Sequence, residues 1–334
     1  MSAASGRESS RRAHPSKAPP HASSSSGKHR AAAEWVPAFD VPEGMIRKAL
    51  GKGRYLVSDS RRGYVVDLSV ADRVRVELVF RRPRAAKSGP DEQRVAMSRF
   101  NRERRWVTTS DDETHRLTVL HVDQSIQSPA TLRELLPKAF QFLDGVAQEL
   151  PKALQGRPLH AGQKKLQALG TSAQLPTQGA LRLASARDRM RALLAAEGTT
   201  GELDKDGDFV FVAPTGLRMF VAQDNETPEF LRVATQLPHD GDGFTQRASC
   251  NQANLSVPLC KCVALDDKTT SLNAEQMSPA SSNLSMLKSV ALTSLQACRA
   301  AYERALATAQ PNKPEGRIRR LRVVKMKPVV APKR

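Results

Sequence analysis

An internal repeat constrains this chain more than any other feature of its sequence. Residues 132–154 and 284–306 align without a gap, and apolar residues in both segments recur at spacings of three and four. Such spacing marks one face of a long helix. Because a repeat arises from one supersecondary unit that folds the same way each time, it predicts two copies of one architecture.

The segments before these long helices also match one another. Each unit is predicted to open with a short amphipathic helix and to continue with two strands. In the first unit these are residues 45–50, 62–68 and 74–80, and in the second 189–194, 206–212 and 217–222. The front of each unit therefore predicts the order helix, strand, strand.

A second pair of strands is predicted in each unit after an asparagine, Asn101 in the first and Asn254 in the second. An Asp-Asp pair marks the turn between these strands, at residues 111–112 and 266–267. Ser-Pro pairs, at residues 128–129 and 278–279, precede the long helices. Proline removes a helical hydrogen bond and clashes with the preceding turn, so Pro137 predicts a break or kink near Leu136, and Pro151 predicts an early helix end near Leu150.

The chain is therefore predicted to be an α+β protein with two tandem modules. Each is a small, mostly antiparallel sheet with an N-terminal helix and a long C-terminal helix. Low apolar content predicts disorder at the N-terminus, and glycine with proline predicts a linker between the modules. The predicted segments are a basic tail (1–33), a first module (40–155), a linker (156–179), a second module (180–310) and a basic tail (311–334).

Most of the +18 formal charge belongs to the two tails. Residues 1–33 hold six cations against one acid, and residues 311–334 hold nine against one. A strongly charged partner would therefore be recognised mainly by the tails. The candidate contacts for an acidic partner or for phosphate are Arg317, Arg319, Arg320, Arg322, Lys325 and Lys327.

Three interpretations of this C-terminal strip remain open. It is a solvated tail, a β-prone strip that adds to a sheet edge of its own or another protein, or a phosphate-binding segment. It contains no aromatic residue, so it offers no surface on which bases stack.

The sequence offers no catalytic constellation, cofactor site or metal site. The four cysteines, Cys250, Cys260, Cys262 and Cys298, lack the spacing of a zinc knuckle and are interpreted as buried thiols. Residues 204–208 (DKDGD) fail the EF-hand pattern and predict a turn. Residues 51–53 (GKG) lack the third glycine of a dinucleotide fingerprint. We therefore expect a protein that is not an enzyme.

The order of elements in the second unit resembles the YbjN and type III secretion chaperone-like superfamily. The first unit is a weaker copy of the same pattern. The matching residues are Asn254, Leu259, Cys260, Val263, Asp266, Asp267, Ser278, Pro279, Leu284 and Leu287. The resemblance implies a fold that binds proteins. Type III chaperones pair two copies of one such module and hold a client in a partly extended form, so two modules in one chain could form an intramolecular pseudo-dimer.

The function expected from these observations is non-enzymatic protein binding, as a type III secretion chaperone or adaptor in the bacterial cytoplasm. No apolar run approaches the ~20 residues that span a bilayer. Two alternatives stay open. The first is a nucleic-acid-associated protein that binds through its basic tails. The second is a secreted cargo with a Ser-rich N-terminal signal.

Overall fold

The computed structural model describes residues 41, 43–60, 62–70, 72–81, 90–150, 154, 184–224, 227–280 and 282–309. They form an α+β fold, as predicted, with two six-stranded antiparallel sheets and five helices in the described ranges. We call residues 41–154 the first half and residues 184–309 the second half. The candidate tail residues 317–327 lie outside the described residues, as does the whole predicted linker (156–179).

The first half holds six strands and two helices. They are β1 Ile46–Gly51, β2 Arg54–Ser58, β3 Gly63–Asp67, β4 Arg73–Arg81, α1 Pro90–Glu103, β5 Thr108–Asp112, β6 Leu117–Ser125 and α2 Pro129–Ala147. The second half holds six strands and three helices. They are α3 Ala186–Ala196, β7 Gly201–Leu203, β8 Phe209–Val212, β9 Arg218–Ala222, β10 Phe230–Pro238, α4 Gly243–Ser256, β11 Lys261–Asp266, β12 Thr269–Met277 and α5 Leu284–Ala309.

The two sheets have the same strand order. The first runs β1-β2-β3-β4-β6-β5, and the second runs β7-β8-β9-β10-β12-β11. In each half a helix connects the fourth strand to the fifth, so the sixth strand pairs with the fourth and the fifth forms an edge. The other edges are β1 and β7.

The prediction of a helix at residues 45–50 is wrong, because this segment is strand β1. It pairs with β2 through a turn in which Gly51, Lys52 and Gly53 all have positive φ. A turn of this conformation returns the chain antiparallel to itself. A six-residue segment is also too short to form a stable helix on its own. The Gly-Lys-Gly sequence is therefore the turn of a hairpin. A strand follows it, whereas a helix would follow a dinucleotide fingerprint.

The predicted alignment of the front segments is wrong by one strand. Residues 62–68 contain β3, the third strand of its sheet, whereas the segment matched to it contains β8, the second strand of the other. Four strands, and not two, precede the middle helix of each half. The sequence pattern missed the strands β2, β7 and β10 and the helices α1 and α4. The predicted helix near residues 189–194 is confirmed as part of α3.

The two long C-terminal helices are confirmed. Ser128 caps α2 by accepting a hydrogen bond from the backbone N–H of Thr131, as the Ser-Pro pair predicts. The predicted break at Pro137 is wrong, since α2 continues through it to Ala147. Pro137 lies on the exposed face, where water can satisfy the carbonyl that it leaves without a partner. The second helix, α5, begins at Leu284, several residues after its Ser-Pro pair.

Each long helix covers one face of its own sheet with leucine-rich turns. In the first half, Tyr64 and Leu120 of the sheet pack in one core with Leu136 and Leu143 of α2. In the second half, α3, α4 and α5 share a core with β8–β12. Phe230 and Met277 of the second half lie in the core of the first half, so that core extends across the contact between the halves.

The two asparagines of the repeat have the same structural role. Asn101, near the end of α1, donates through Nδ2 to the carbonyl of Thr109 at 2.9 Å and accepts from its N–H at 2.7 Å. Asn254, near the end of α4, makes the same two bonds to Cys262, at 3.0 and 2.7 Å. Both asparagines are buried. Each one therefore fixes a helix to the strand that follows it.

Candidate functional site: the contact between the two halves

The two halves meet through their middle helices and their last two strands. Helix α1 packs on β11 and on α4, helix α4 packs on β5, and β6 packs on β12. An ion pair at 2.6 Å between Arg105 and Asp224 and another at 3.1 Å between Lys138 and Glu229 also link the halves. Buried polar residues of both halves lie at this contact, among them Asp111, Gln124, Lys261 and Gln276.

Several of these contacts occur in pairs, in which two equivalent residues each make the same contact with the opposite half. Ser98, the ninth residue of α1, donates to the carbonyl of Ala264, the fourth residue of β11, at 3.3 Å. Asn251, the ninth residue of α4, donates to the carbonyl of Asp111, the fourth residue of β5, at 2.9 Å. Equivalent residues therefore make reciprocal contacts, as in the isologous interface of a symmetric dimer.

A second pair involves two residues with left-handed backbone. Trp106 (φ 59°) and Leu259 (φ 61°) stand at equivalent places after α1 and α4. The N–H of Trp106 donates to Glu275 Oε2 at 2.7 Å, and the N–H of Leu259 donates to the carboxyl group of Asp123. Asp123 and Glu275 are both the seventh residue of their strands, β6 and β12. Left-handed backbone is costly for bulky residues, and here it aims an N–H at the opposite half.

Two buried glutamines form the third pair. Gln124 accepts from the N–H of Met277 at 2.9 Å and donates to the same residue's carbonyl at 3.1 Å. Its equivalent, Gln276, accepts from the N–H of Ser125 at 3.0 Å. The two side chains also bond to each other at 3.2 Å. Each glutamine therefore continues the backbone hydrogen bonding of the opposite half.

A cavity of about 10 Å³ lies between α1 and α4, and equivalent residues of the two halves line it. Arg94 at its rim pairs with Glu113 and lies over the ring of Phe244, 4.5 Å from the centroid. A volume of this size holds about one water molecule, which is too small for an organic substrate. The lining consists of five equivalent pairs: Arg94 and Arg247, Met97 and Cys250, Ser98 and Asn251, Asn101 and Asn254, Thr109 and Cys262.

The contact also buries titratable side chains, among them Lys261, His121 and Asp123. Lys261 bonds to Glu275 Oε2 at 2.7 Å, and burial lowers its pKa despite this partner. His121 Nε2 is 3.5 Å from Asp123 Oδ2, and Arg75 NH1 is 3.7 Å from the same oxygen. Burial holds the pKa of His121 well below its usual value, and the cations nearby add to the effect. Burial raises the pKa of Asp123.

All four cysteines are free thiols that lie together in the core of the second half. Cys262 Sγ donates to Cys250 Sγ at 3.1 Å, and Cys298 bonds to both Cys260 and Cys262. Within the described ranges, no group of three or more His, Cys, Asp and Glu side chains is arranged to hold a metal ion. The equivalent positions in the first half carry buried residues without thiols, namely Met97, Val107, Thr109 and Val146.

The predicted turn at residues 111–112 is wrong, because Asp111 and Asp112 are the last two residues of β5 and Asp111 is buried. Two further sites considered from the sequence lie in a turn or on the surface. Residues 204–208 form the turn between β7 and β8, where Asp204 accepts from the N–H groups of Asp206 and Asp208. Gly207 has a φ of 82° there. His115 is exposed and bonds to Asp112 at 2.6 Å. No sequence pattern indicated the buried Gln124–Gln276 pair, although the eighth position of the last strand holds glutamine in both halves.

The two edges away from this contact differ in charge. Every residue of β1 is exposed, and its apolar side chains Ile46 and Leu50 are 70% and 50% exposed. Four cations accompany them in residues 46–54, with no acid. Strand β7 is exposed as well, and residues 201–208 hold four carboxylates against one lysine. No described strand pairs with the outer side of either edge.

Comparison with known proteins places the chain in no family: no family model matches it, and no curated protein shows significant similarity to it. No helix in the described part of the chain has the length and apolar character needed to cross a membrane.

Proposed function

We propose that the chain is a non-enzymatic adaptor or chaperone that binds an extended, acidic segment of a protein client along β1. The single observation that carries this proposal is the edge strand itself. It is exposed over its whole length and presents two apolar side chains between cations. An extended peptide can add to such an edge through its own backbone, while its side chains determine specificity.

The charge of β1 favours an acidic partner. Arg47, Lys48, Lys52 and Arg54 lie in or beside the strand, and cations on an edge strand discourage pairing with a second copy of the same edge. A client segment with carboxylates between apolar residues would neutralise these cations and cover Ile46 and Leu50. Because apolar contacts are screened little by salt, such a complex would withstand moderate ionic strength.

The contact between the halves supports the same function. We interpret the halves as two tandem copies of one module, paired within one chain as separate subunits pair in type III secretion chaperones. The reciprocal bonds of Ser98 and Asn251 and of Gln124 and Gln276 support this interpretation. An intramolecular pair does not dissociate on dilution, so its edges keep one relative arrangement.

The test starts with the full chain purified from its native host across a salt series, with and without nuclease. A protein that stays bound after nuclease is then identified, and its acidic extended segments are assayed by fluorescence anisotropy. Replacing both Ile46→Asp and Leu50→Asp should weaken the binding of such a segment by tenfold or more, because acids on the edge repel it. The matched control is Leu203→Asp on the other edge, which should leave the affinity unchanged.

Two results would overturn the proposal. One is equal affinity of the β1 variant and the unsubstituted chain for every segment that binds. The other is co-purification of nucleic acid alone, which disappears with nuclease or salt and leaves no protein behind. That second result would favour binding of nucleic acid through the basic tails.

A further inference from the structure

The edge at β7 has the opposite chemistry from the edge at β1. Glu202 is exposed on the strand, and Asp204, Asp206 and Asp208 follow in the turn to β8. Apolar side chains accompany these acids, since Leu203 is 46% exposed and Val212, on the neighbouring strand, is 63% exposed. A basic segment with interleaved apolar residues would match this edge in charge and in apolar contact.

The end of α5 lies at the same end of the second sheet as the start of β7. The hydroxyl of Tyr302 bonds to Thr270 and to His239, which stand at one end of β12 and β10. Across the sheet, the register brings Thr235 level with Met219, Met219 with Phe211, and Phe211 with Gly201. The chain that leaves Ala309 therefore starts at the end of the second sheet where β7 begins.

We propose that the C-terminal strip 317–327 of the same molecule adds to the outer edge of β7. The strip carries Arg317, Arg319, Arg320, Arg322, Lys325 and Lys327 among apolar residues. Seven residues, 310–316, connect it to α5 and span up to ~24 Å when extended. The strip would lie one strand spacing beyond β7, four spacings from β10 and five from β12, or ~19–24 Å across the sheet, which the extended connection just spans.

Electrostatics selects β7 over β1 as the site for this strip. The region around β1 is basic and repels a tail with nine cations, whereas the β7 hairpin attracts it. Three residues of β7 alone offer few backbone hydrogen bonds. Attachment to the same chain compensates for that, because a short connection gives the strip an effective concentration in the millimolar range. The charge pairs are exposed, so the contact weakens as salt is added.

This inference does not depend on the proposed function of β1. The strip would cover the acidic edge and leave the basic edge open, so the two edges would have different partners. Failure of the strip to bind β7 would leave client binding at β1 unaffected, and the reverse also holds.

Disulfide trapping in the full chain tests the proposal. The pair Leu203→Cys and Val323→Cys is compared with the matched pair Ile46→Cys and Val323→Cys, which places the same tail thiol opposite the other exposed edge. The four natural thiols are buried and do not compete in the folded protein. Under mild oxidation, the intramolecular link to residue 203 should form roughly tenfold faster than the link to residue 46, and added salt should reduce that difference.

Three results would overturn the proposal: no link to residue 203, equal rates at both edges, or links that form only between molecules. A second measurement requires no new cysteine. Hydrogen exchange of residues 199–205 is compared in the natural chain and in a variant with Arg319→Gln, Arg320→Gln and Arg322→Gln. The variant should exchange roughly tenfold faster in this segment, with residues 46–51 unchanged, and equal exchange in both proteins would contradict the proposal.

Discussion

At the scale of single residues, His121 is the most unusual group of the described chain. Its ring is buried at the contact between the halves, and neither ring nitrogen has a hydrogen-bond partner there. The charged groups that face it are Asp123 on its own strand, Arg73 and Arg75 on β4, and Lys261 on β11 of the other half. Burial and the three cations favour the neutral imidazole, and Asp123 opposes them only weakly.

This environment predicts that His121 makes stability depend on pH. The unfolded chain takes up a proton near the ordinary pKa of 6.5, whereas the folded chain does not until the pH is well below it. The free energy of unfolding should therefore fall as pH decreases below 6.5, by up to ~1.4 kcal/mol per pH unit from this one group. Urea unfolding between pH 7.5 and 5.5 measures this slope, and His121→Gln should reduce it.

The control for this prediction is His115→Gln. The side chain of His115 is 71% exposed, so its replacement should leave the slope as it is. Asp123 acts in the opposite direction, since its raised pKa makes the folded state bind a proton more readily in the acidic range above 3.8. A slope that His121→Gln leaves unchanged would show that His121 is not responsible for it.

At the scale of elements, the fold depends on how the middle helices are attached to the strands after them. Helix α4 has mixed polar and small residues and gave no clear periodic signal in the sequence. Asn254 attaches this helix to β11 by bonding to the backbone of Cys262. Asn101 attaches α1 to β5 in the same way, by bonding to the backbone of Thr109. These attachments bring β5 and β11 to the edges of their sheets, where they contact the opposite half.

Replacing either asparagine with alanine should destabilise the protein. The substitution leaves a buried N–H and a buried carbonyl of the strand without partners, at a cost of about 1–3 kcal/mol each. Asn254→Ala and Asn101→Ala should each lower the free energy of unfolding by roughly 2–4 kcal/mol in urea titrations. Ser256→Ala, at the exposed end of α4, serves as the control and should change it by about 0.5 kcal/mol or less. Similar values for all three variants would show that the asparagines do not hold the helices.

At the scale of the whole molecule, the two halves should unfold as one unit. Phe230 and Met277 of the second half pack in the core of the first half, and polar groups buried between the halves are satisfied only while both are folded. Opening the contact would expose Gln124 and Gln276 and break bonds to backbone on both sides. Coupling of this kind favours a single cooperative transition.

A double-mutant cycle on the two glutamines tests this coupling. Gln276→Ala lies in the second half, yet in a Trp35→Phe background it should lower the urea midpoint reported by the fluorescence of Trp106 in the first half. Each single substitution should reduce the free energy of unfolding by about 1–3 kcal/mol. The double variant should show a coupling of at least ~0.5 kcal/mol, because the side chains bond to each other.

Gln236→Ala, on an exposed position of β10, is the matched control and should have little effect. Two separate transitions, or additive effects of Gln124→Ala and Gln276→Ala, would contradict the coupling.

Periodicity and capping residues within one segment were enough to predict the elements that form without a specific partner, such as the long helices. The three- and four-residue spacing of leucines predicted α2 and α5, and Ser128-Pro129 predicted the start of α2. The pattern failed where the signal was short or weak. Residues 45–50 have spacing compatible with a helix, and only pairing with β2 makes them a strand. The role of Asn101 and Asn254 was not predictable, since a helix-to-strand bond requires the packed structure.

The sequence by itself determined that the chain repeats, that each repeat mixes helices with antiparallel strands, and that its charge is concentrated in the tails. These properties follow from local periodicity and composition. Only the tertiary structure decided which groups meet between the halves, such as Ser98 with Ala264 and Asn251 with Asp111. It also decided which edges stay open, because that depends on the order of strands in each sheet. Contacts between residues far apart in the chain produce no periodic pattern in the sequence, so only the folded structure shows them.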